Sequence, residues 1–179
     1  MPDRAHSLAA DVGLPRQEFA GREFRDTLAA FATGITVITT RGKEHPYGMT
    51  ASAFSSVSLD PPLVLVCVMH PTDGSDAIEA NGAFAVNILS AHQEPISNYF
   101  ASSKRPKGED AFKEVPHRAI VTGSPILEGV AAYLDCLVNA VHEAGDHRIF
   151  VGEVLALGVH DGVPPLLFHA GNYRFLREA

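Results

Sequence analysis

The sequence lacks the glycine signatures of the common nucleotide folds. No GxGxxG opens a helix after a strand and no GxxxxGK[ST] occurs, which excludes a dinucleotide-binding Rossmann unit and a Walker-type phosphate loop. HExxH and GxSxG are absent too, so neither a zincin helix nor a nucleophile elbow is available. Only two cysteines are present, Cys67 and Cys136, each inside an apolar run and with no CxxC, a pattern of buried structural thiols and not of a zinc site. Basic residues are scarce: 14 Lys and Arg against 21 Asp and Glu give a net charge of −7, which argues against a protein that wraps nucleic acid. No apolar run reaches the roughly 18 residues that span a bilayer, and the N-terminus is polar and mixed in charge. These absences predict a soluble cytoplasmic protein that binds neither membrane nor nucleic acid.

What is present is a chain of 179 residues, 46% hydrophobic and 20% charged, enough for one cored domain. Residues 1–16 show no period and read as a mobile lead-in to a domain over 17–179. Phe24, Leu28 and Phe31 fall at i, i+4 and i+7, predicting a helix with a core-facing stripe that Gly34 ends. The β-branched run Ile35 to Thr40, closed by Gly42, predicts a strand. A second strand, Tyr47 to Val57, alternates Met49, Ala51, Ala53 and Val57 against Thr50, Ser52 and Ser56. Leu63 to Met69 is continuously apolar, as in a strand buried on both faces. A short helix capped within Thr72 to Ser75 ends near Asn81-Gly82. Then follow a strand at Phe84 to Leu89, a helix at Glu94 to Ser102 and a charged loop at Ser103 to Glu114. Two long strands joined at Ala144-Gly145-Asp146 come next, and a last strand, Leu166 to Leu176, is broken by Gly171. Six or seven strands without a helix between each pair predict an antiparallel or mixed barrel. Strands apolar on both faces need a second cover, which a homodimer supplies.

The stretch Gly48 to Ser58 carries small residues where a strand ordinarily carries bulk. Two readings follow: its Ser and Thr face water, or the strand is cleared so that a flat ring lies against its backbone while hydroxyls near Ser55 and Ser56 bind phosphate. The helix start at Thr72 to Ser75 adds N–H groups for an anion.

The blocks GMTASAFSSVSLDPPLVLVCV, FAVNIL, GDHRIFVGEV and PLLFHAGNYRFL, in that order, resemble the flavin reductase-like, FMN-binding split-barrel family, and most of all the short-chain reductase components of two-component flavin-dependent monooxygenases. The resemblance runs from about Glu23 to Leu176. It implies a mainly β chain with short helices, a split β-barrel homodimer reducing FMN or FAD with NADH, or less favourably NADPH, and handing reduced flavin to a monooxygenase. It also implies site residues: the flavin ring along Met49, Thr50, Ala51 and Ser52, and its phosphate end at Ser55, Ser56 and Val57 with Thr72, Asp73 and Ser75. Ser103 and the basic loop Lys104, Arg105 and Lys107 would meet the distal flavin, and His147 and Tyr173 the nicotinamide. Three positions depart from the pattern. Ala111 stands where relatives often carry a basic residue, Phe168 where Tyr is common and Ala170 where Arg is common, leaving NADH versus NADPH open. No metal site is expected. Another split-barrel flavoenzyme of the pyridoxine-phosphate oxidase kind, or a non-catalytic flavin-binding protein, are the alternatives.

Overall fold

A computed structural model describes residues 17–41 and 45–176; the expected lead-in at 1–16 and Gly42 lie outside the described residues. In chain order the elements are α1 (Gly21–Leu28), β1 (Thr33–Gly34), β2 (Thr36–Arg41), β3 (Pro46–Ala51), β4 (Phe54–Leu59), β5 (Pro62–Met69), α2 (Asp73–Asn81) and β6 (Ala83–Ile88). They continue with α3 (Glu94–Ala101), a 3-10 turn (Gly108–Ala111), β7 (His117–Arg118), β8 (Ile126–Leu127), β9 (Ala132–Ala144), β10 (His147–Val159), β11 (Leu167–His169) and β12 (Asn172–Arg174). The described chain is therefore mainly β with three short α-helices.

Seven strands form one antiparallel sheet in the order β3-β2-β6-β9-β10-β5-β4. Its two edge strands, β3 and β4, are consecutive in the chain, joined only by Ser52 and Ala53. At that corner the Phe54 N–H bonds the Ser52 carbonyl and the Cys67 N–H bonds the Ala53 carbonyl, both at 3.0 Å. The single strand expected over Tyr47 to Val57 is thus two strands on opposite edges. The alternation inverts at Phe54-Ser55, just past the corner, but the periodicity does not say that the partner switches there from β2 to β5.

Alternation along β2 puts Val37 into one apolar cluster and Ile38 into another, one on each face. The first cluster holds Phe100 of α3, Phe112 and Leu166; the second holds Val66, Ile78, Phe84 and Phe150. Each such side chain contributes about 1.5–3 kcal/mol when fully buried. Two glycines make the packing possible. A Cβ on Gly152 would lie 2.5 Å from the Phe84 ring, and one on Gly48 would lie 2.6 Å from the Phe100 ring.

The helix at Asp73–Asn81 starts and stops as expected. Thr72 caps it by accepting the Ser75 N–H, and Gly82 closes it in the left-handed region at φ +63°. The β9–β10 hairpin turns at Gly145, φ +67°, as the sequence indicates. Four expectations are corrected. The α1 stripe does not face a core: Phe24, Leu28 and Phe31 are 57%, 56% and 77% exposed, and the helix ends at Leu28, leaving Gly34 in β1. An apolar stripe marks a face suited to burial, and within the single chain no core takes it. In β5 only Val64, Val66 and Val68 are buried, while Leu63, Leu65 and Cys67 are half-buried, so one face is open in the single chain. Cys136 is buried but Cys67 only partly. The last strand is a hairpin, β11 against β12, turning at Ala170 (φ +49°) and Gly171 (φ +75°) and joining β1 in a separate three-stranded sheet.

Candidate functional site

Strand β3 has one paired edge and one free edge. The Ile35 carbonyl accepts from the Leu89 N–H, toward β6, so the alternation of β2 turns the peptide groups of Thr36, Ile38 and Thr40 toward β3. Their register partners Ala51, Met49 and Tyr47 turn back to meet them, which leaves the peptide groups of Gly48 and Thr50 on the outer edge. One of these is already in use: the Arg105 guanidinium donates to the Gly48 carbonyl. No strand pairs with this edge among the described residues.

Two cavities flank β3. One of about 330 Å³ sits at its N-terminal end, lined by Pro46, Tyr47, Gly48, Thr72, Asp73, Ser103, Arg105, Pro106, Lys107, Gly108 and Ala111. The other, about 210 Å³, lies over its C-terminal half, lined by Ile35, Thr50, Ala51, Ser52, Ser97, Ala101, Phe168 and Tyr173. A third, about 330 Å³ and largely apolar, shares Ser52 and includes Phe31, Thr33 and Phe54; the Thr33 hydroxyl is buried with no partner among the described residues.

The structure therefore brings together Thr72, Asp73 and Ser103 at one end of β3, and Thr50, Ala51, Ser52 and Tyr173 at the other. Met49 faces inward against the second apolar cluster, its sulfur close under Gly74. Ser75 is fully buried beneath the helix start, 3.4 Å from His70 Nδ1. Ser55, Ser56 and Val57 are exposed on β4 and line none of these cavities, as is true of exposed Lys104. His147 lines none either, but it pairs in register with Met69, whose carbonyl accepts the Thr72 hydroxyl at 2.7 Å, so it stands near the start of α2. Its Nδ1 is 2.7 Å from Asp146 Oδ1; that hydrogen bond, and then the imidazole's charge, holds the Asp146 carboxyl below its usual range. Among the described residues, no cluster of three or more His, Cys, Asp or Glu side chains has metal-site geometry.

The basic loop divides into two behaviours. Arg105 folds back, donating to the carbonyls of Gly48 and Ser102 and resting 5.3 Å from the Tyr47 ring centroid and 5.8 Å from that of Phe100. Lys107 reaches across the cavity mouth to Asp73, 2.7 Å away. Of the departing positions, Ala111 is buried in the cavity wall with its carbonyl taken by the Tyr99 hydroxyl at 2.9 Å. Phe168 packs edge-on against Tyr173 at 5.4 Å. Sequence reasoning missed Tyr47, Ser97 and Asn98. Ser97 accepts the Thr50 hydroxyl on its carbonyl at 2.6 Å, and the Tyr173 hydroxyl bonds Ser97 Oγ at 2.9 Å and Asn98 Oδ1 at 3.0 Å. The polar i, i+1 pair inside an otherwise apolar helix was the signal available for them.

Residues 28–177 match the model of the flavin reductase-like domain. The chain is 44% identical over 154 residues to the reductase subunit HsaB of a flavin-dependent monooxygenase from Mycobacterium tuberculosis, covering 85% of this chain and 80% of that protein. It is 41% identical over 158 residues to the FMN reductase (NADH) SmoA of Agrobacterium fabrum, covering 88% and 87%. The solved structure of the NADH:FAD oxidoreductase SgcE6 of Streptomyces globisporus superposes with a TM-score of 0.84 at 36% identity, over 92% of this chain and all of that one.

Proposed function

The chain belongs to the flavin reductase-like family, and from that premise we propose that it is an NADH-dependent reductase of FMN and FAD that supplies reduced flavin to a partner monooxygenase. The observation that carries this reading is the free edge of β3, bulk-free from Thr50 to Ser52, with a cation-bearing cavity at its end. That arrangement fits a flat ring with a phosphate tail. The ring lies along Met49 to Ser52 and its polar edge meets the outward peptide groups near Thr50. The phosphate enters the cavity of Thr72, Ser103, Arg105 and Lys107, and not the exposed hydroxyls of Ser55 and Ser56 on β4.

Bound flavin supplies an acceptor for the hydride equivalent of the nicotinamide. That chemistry asks for alignment of two flat rings and for donors at the carbonyl edge, not for a side-chain nucleophile or metal. Outward N–H groups of β3 stabilise negative charge at that edge. Of the two nicotinamide candidates, Tyr173, anchored on α3, borders the ring's stretch of β3, while His147, oriented by Asp146, stands at the phosphate end near the start of α2. The buried Ala111 offers no cation to a 2′-phosphate, which favours NADH over NADPH.

The same reading treats residues 17–179 as one domain, a split barrel whose edges meet at Ser52-Ala53, acting in the cytoplasm; among the described residues no helix is long and apolar enough to cross a membrane. It also makes the chain a homodimer. The open face of β5, the exposed Leu155, Leu157 and Val159 of β10, and the outward stripe of α1 form the apolar surface a second copy covers.

Steady-state oxidation of NADH and NADPH, each with FMN, FAD, riboflavin or no flavin, tests the activity. Flavin-dependent oxidation of NADH is expected. Protein that turns yellow with flavin yet leaves both nicotinamides unoxidised contradicts it.

A further inference from the structure

The cavity at the head of β3 holds two cations in different states. Arg105 is committed: its guanidinium serves two backbone carbonyls and lies against Tyr47 and Phe100. Lys107 is not committed to the fold. Its side chain is 80% exposed, and its ammonium bonds the 64% exposed Asp73 carboxylate, which lies on the opposite wall in the first turn of α2. A phosphate entering this space meets an arginine already engaged, a lysine already paired and a carboxylate of its own sign.

We propose that the Lys107–Asp73 pair is a latch that a flavin phosphate must open, and that Asp73 thereby sets how weakly phosphorylated flavin is held. The inference rests on the flavin reading above and deepens it. Lys107 exchanges its carboxylate partner for the phosphate on binding and returns to Asp73 on release. The Asp73 charge opposes the anion throughout. Both groups are ionised at neutral pH: the hydrogen bond, and then the opposite charge, holds the Asp73 carboxyl below and the Lys107 ammonium above their ordinary ranges. An exposed pair of this kind is worth little to stability, so its release costs the fold little. For a reductase that must hand its product flavin to another protein, a competing carboxylate at the phosphate site keeps exchange fast.

The test is flavin affinity measured by fluorescence quenching on the full chain, with FMN and riboflavin, which differ only by the phosphate. Asp73→Asn is expected to lower the FMN dissociation constant roughly three- to tenfold, the size of one removed like charge near a surface, and to leave riboflavin unchanged. Asp73→Ser guards against an effect through the helix start and should behave alike. Lys107→Met should weaken FMN but not riboflavin, and in the double variant the gain from Asp73→Asn should shrink, because no lysine remains to be released. FMN affinity unchanged in both Asp73 variants, or riboflavin shifting equally, overturns the latch while the flavin site stands. A wild-type chain that binds neither flavin overturns the site itself and the latch with it.

Discussion

Strands β3 and β4 share one bulk-free stretch of sequence and one corner, yet they live in different surroundings. β3 is backed by α3 and the head of α2, takes the Thr50–Ser97 bond, and has its outer carbonyl at Gly48 held by Arg105. Among the described residues β4 pairs only with β5; it bulges between Ser56 and Ser58 and exposes Ser55, Ser56 and Val57. The same small side chains therefore do two things. In β3 they let rings and helices approach the backbone; in β4 they face solvent. Composition reports that bulk is absent, and only the neighbours say what the space is for.

The sharpest break of this contrast is a single methyl group. A Cβ at Gly48 meets Phe100 at 2.6 Å and 2.9 Å and Phe112 at 3.1 Å, and both rings are buried in the first apolar cluster. Gly48→Ala should destabilise by about 1–3 kcal/mol, read as a lower urea midpoint at unchanged slope. Ser56→Ala on β4 should stay within about 0.5 kcal/mol. Equal losses at the two positions would erase the distinction between the strands.

A smaller effect separates the cations of the loop. Arg105→Met loses two charge-assisted bonds to carbonyls and should cost about 2 kcal/mol, with a higher Michaelis constant for flavin because the loop no longer holds the β3 edge. Exposed Lys104→Met should leave stability within about 0.5 kcal/mol. Thermal melts with flavin-saturation curves measure both. A silent Arg105 variant would show that the loop is not pinned to β3.

Much of the scaffold could be read from local chemistry. The Thr72 cap and Gly82 stop of α2, Gly145 in the β9–β10 turn and the Pro95 start of α3 are short-range signals, decided by residues adjacent in sequence. The failures are long-range. No Gly or Pro marks Ser52-Ala53 as the place where a strand changes sheet edge, and the inverted Phe54-Ser55 pair beside it does not name the new partner. The stripe of Phe24, Leu28 and Phe31 was visible but its partner surface was not. The basic loop was legible as charge. That Arg105 spends its charge on backbone while Lys107 spans the cavity to Asp73 depends on how the loop folds over β3. The split of the last strand into β11 and β12 was half legible: Gly171 signalled the break, but the pairing with β1 was settled by distant residues.

The central claim is that flavin lies on β3 and its adjoining cavity, and that β4, of like composition, takes no part. Amide hydrogen exchange with and without saturating FMN tests this strand by strand. The account predicts slowed exchange at Thr50, Ser52 and the Thr72–Ser75 helix start, with Ser55, Ser56 and Val57 unchanged. Protection confined to Ser55–Val57, with β3 unaffected, would contradict it.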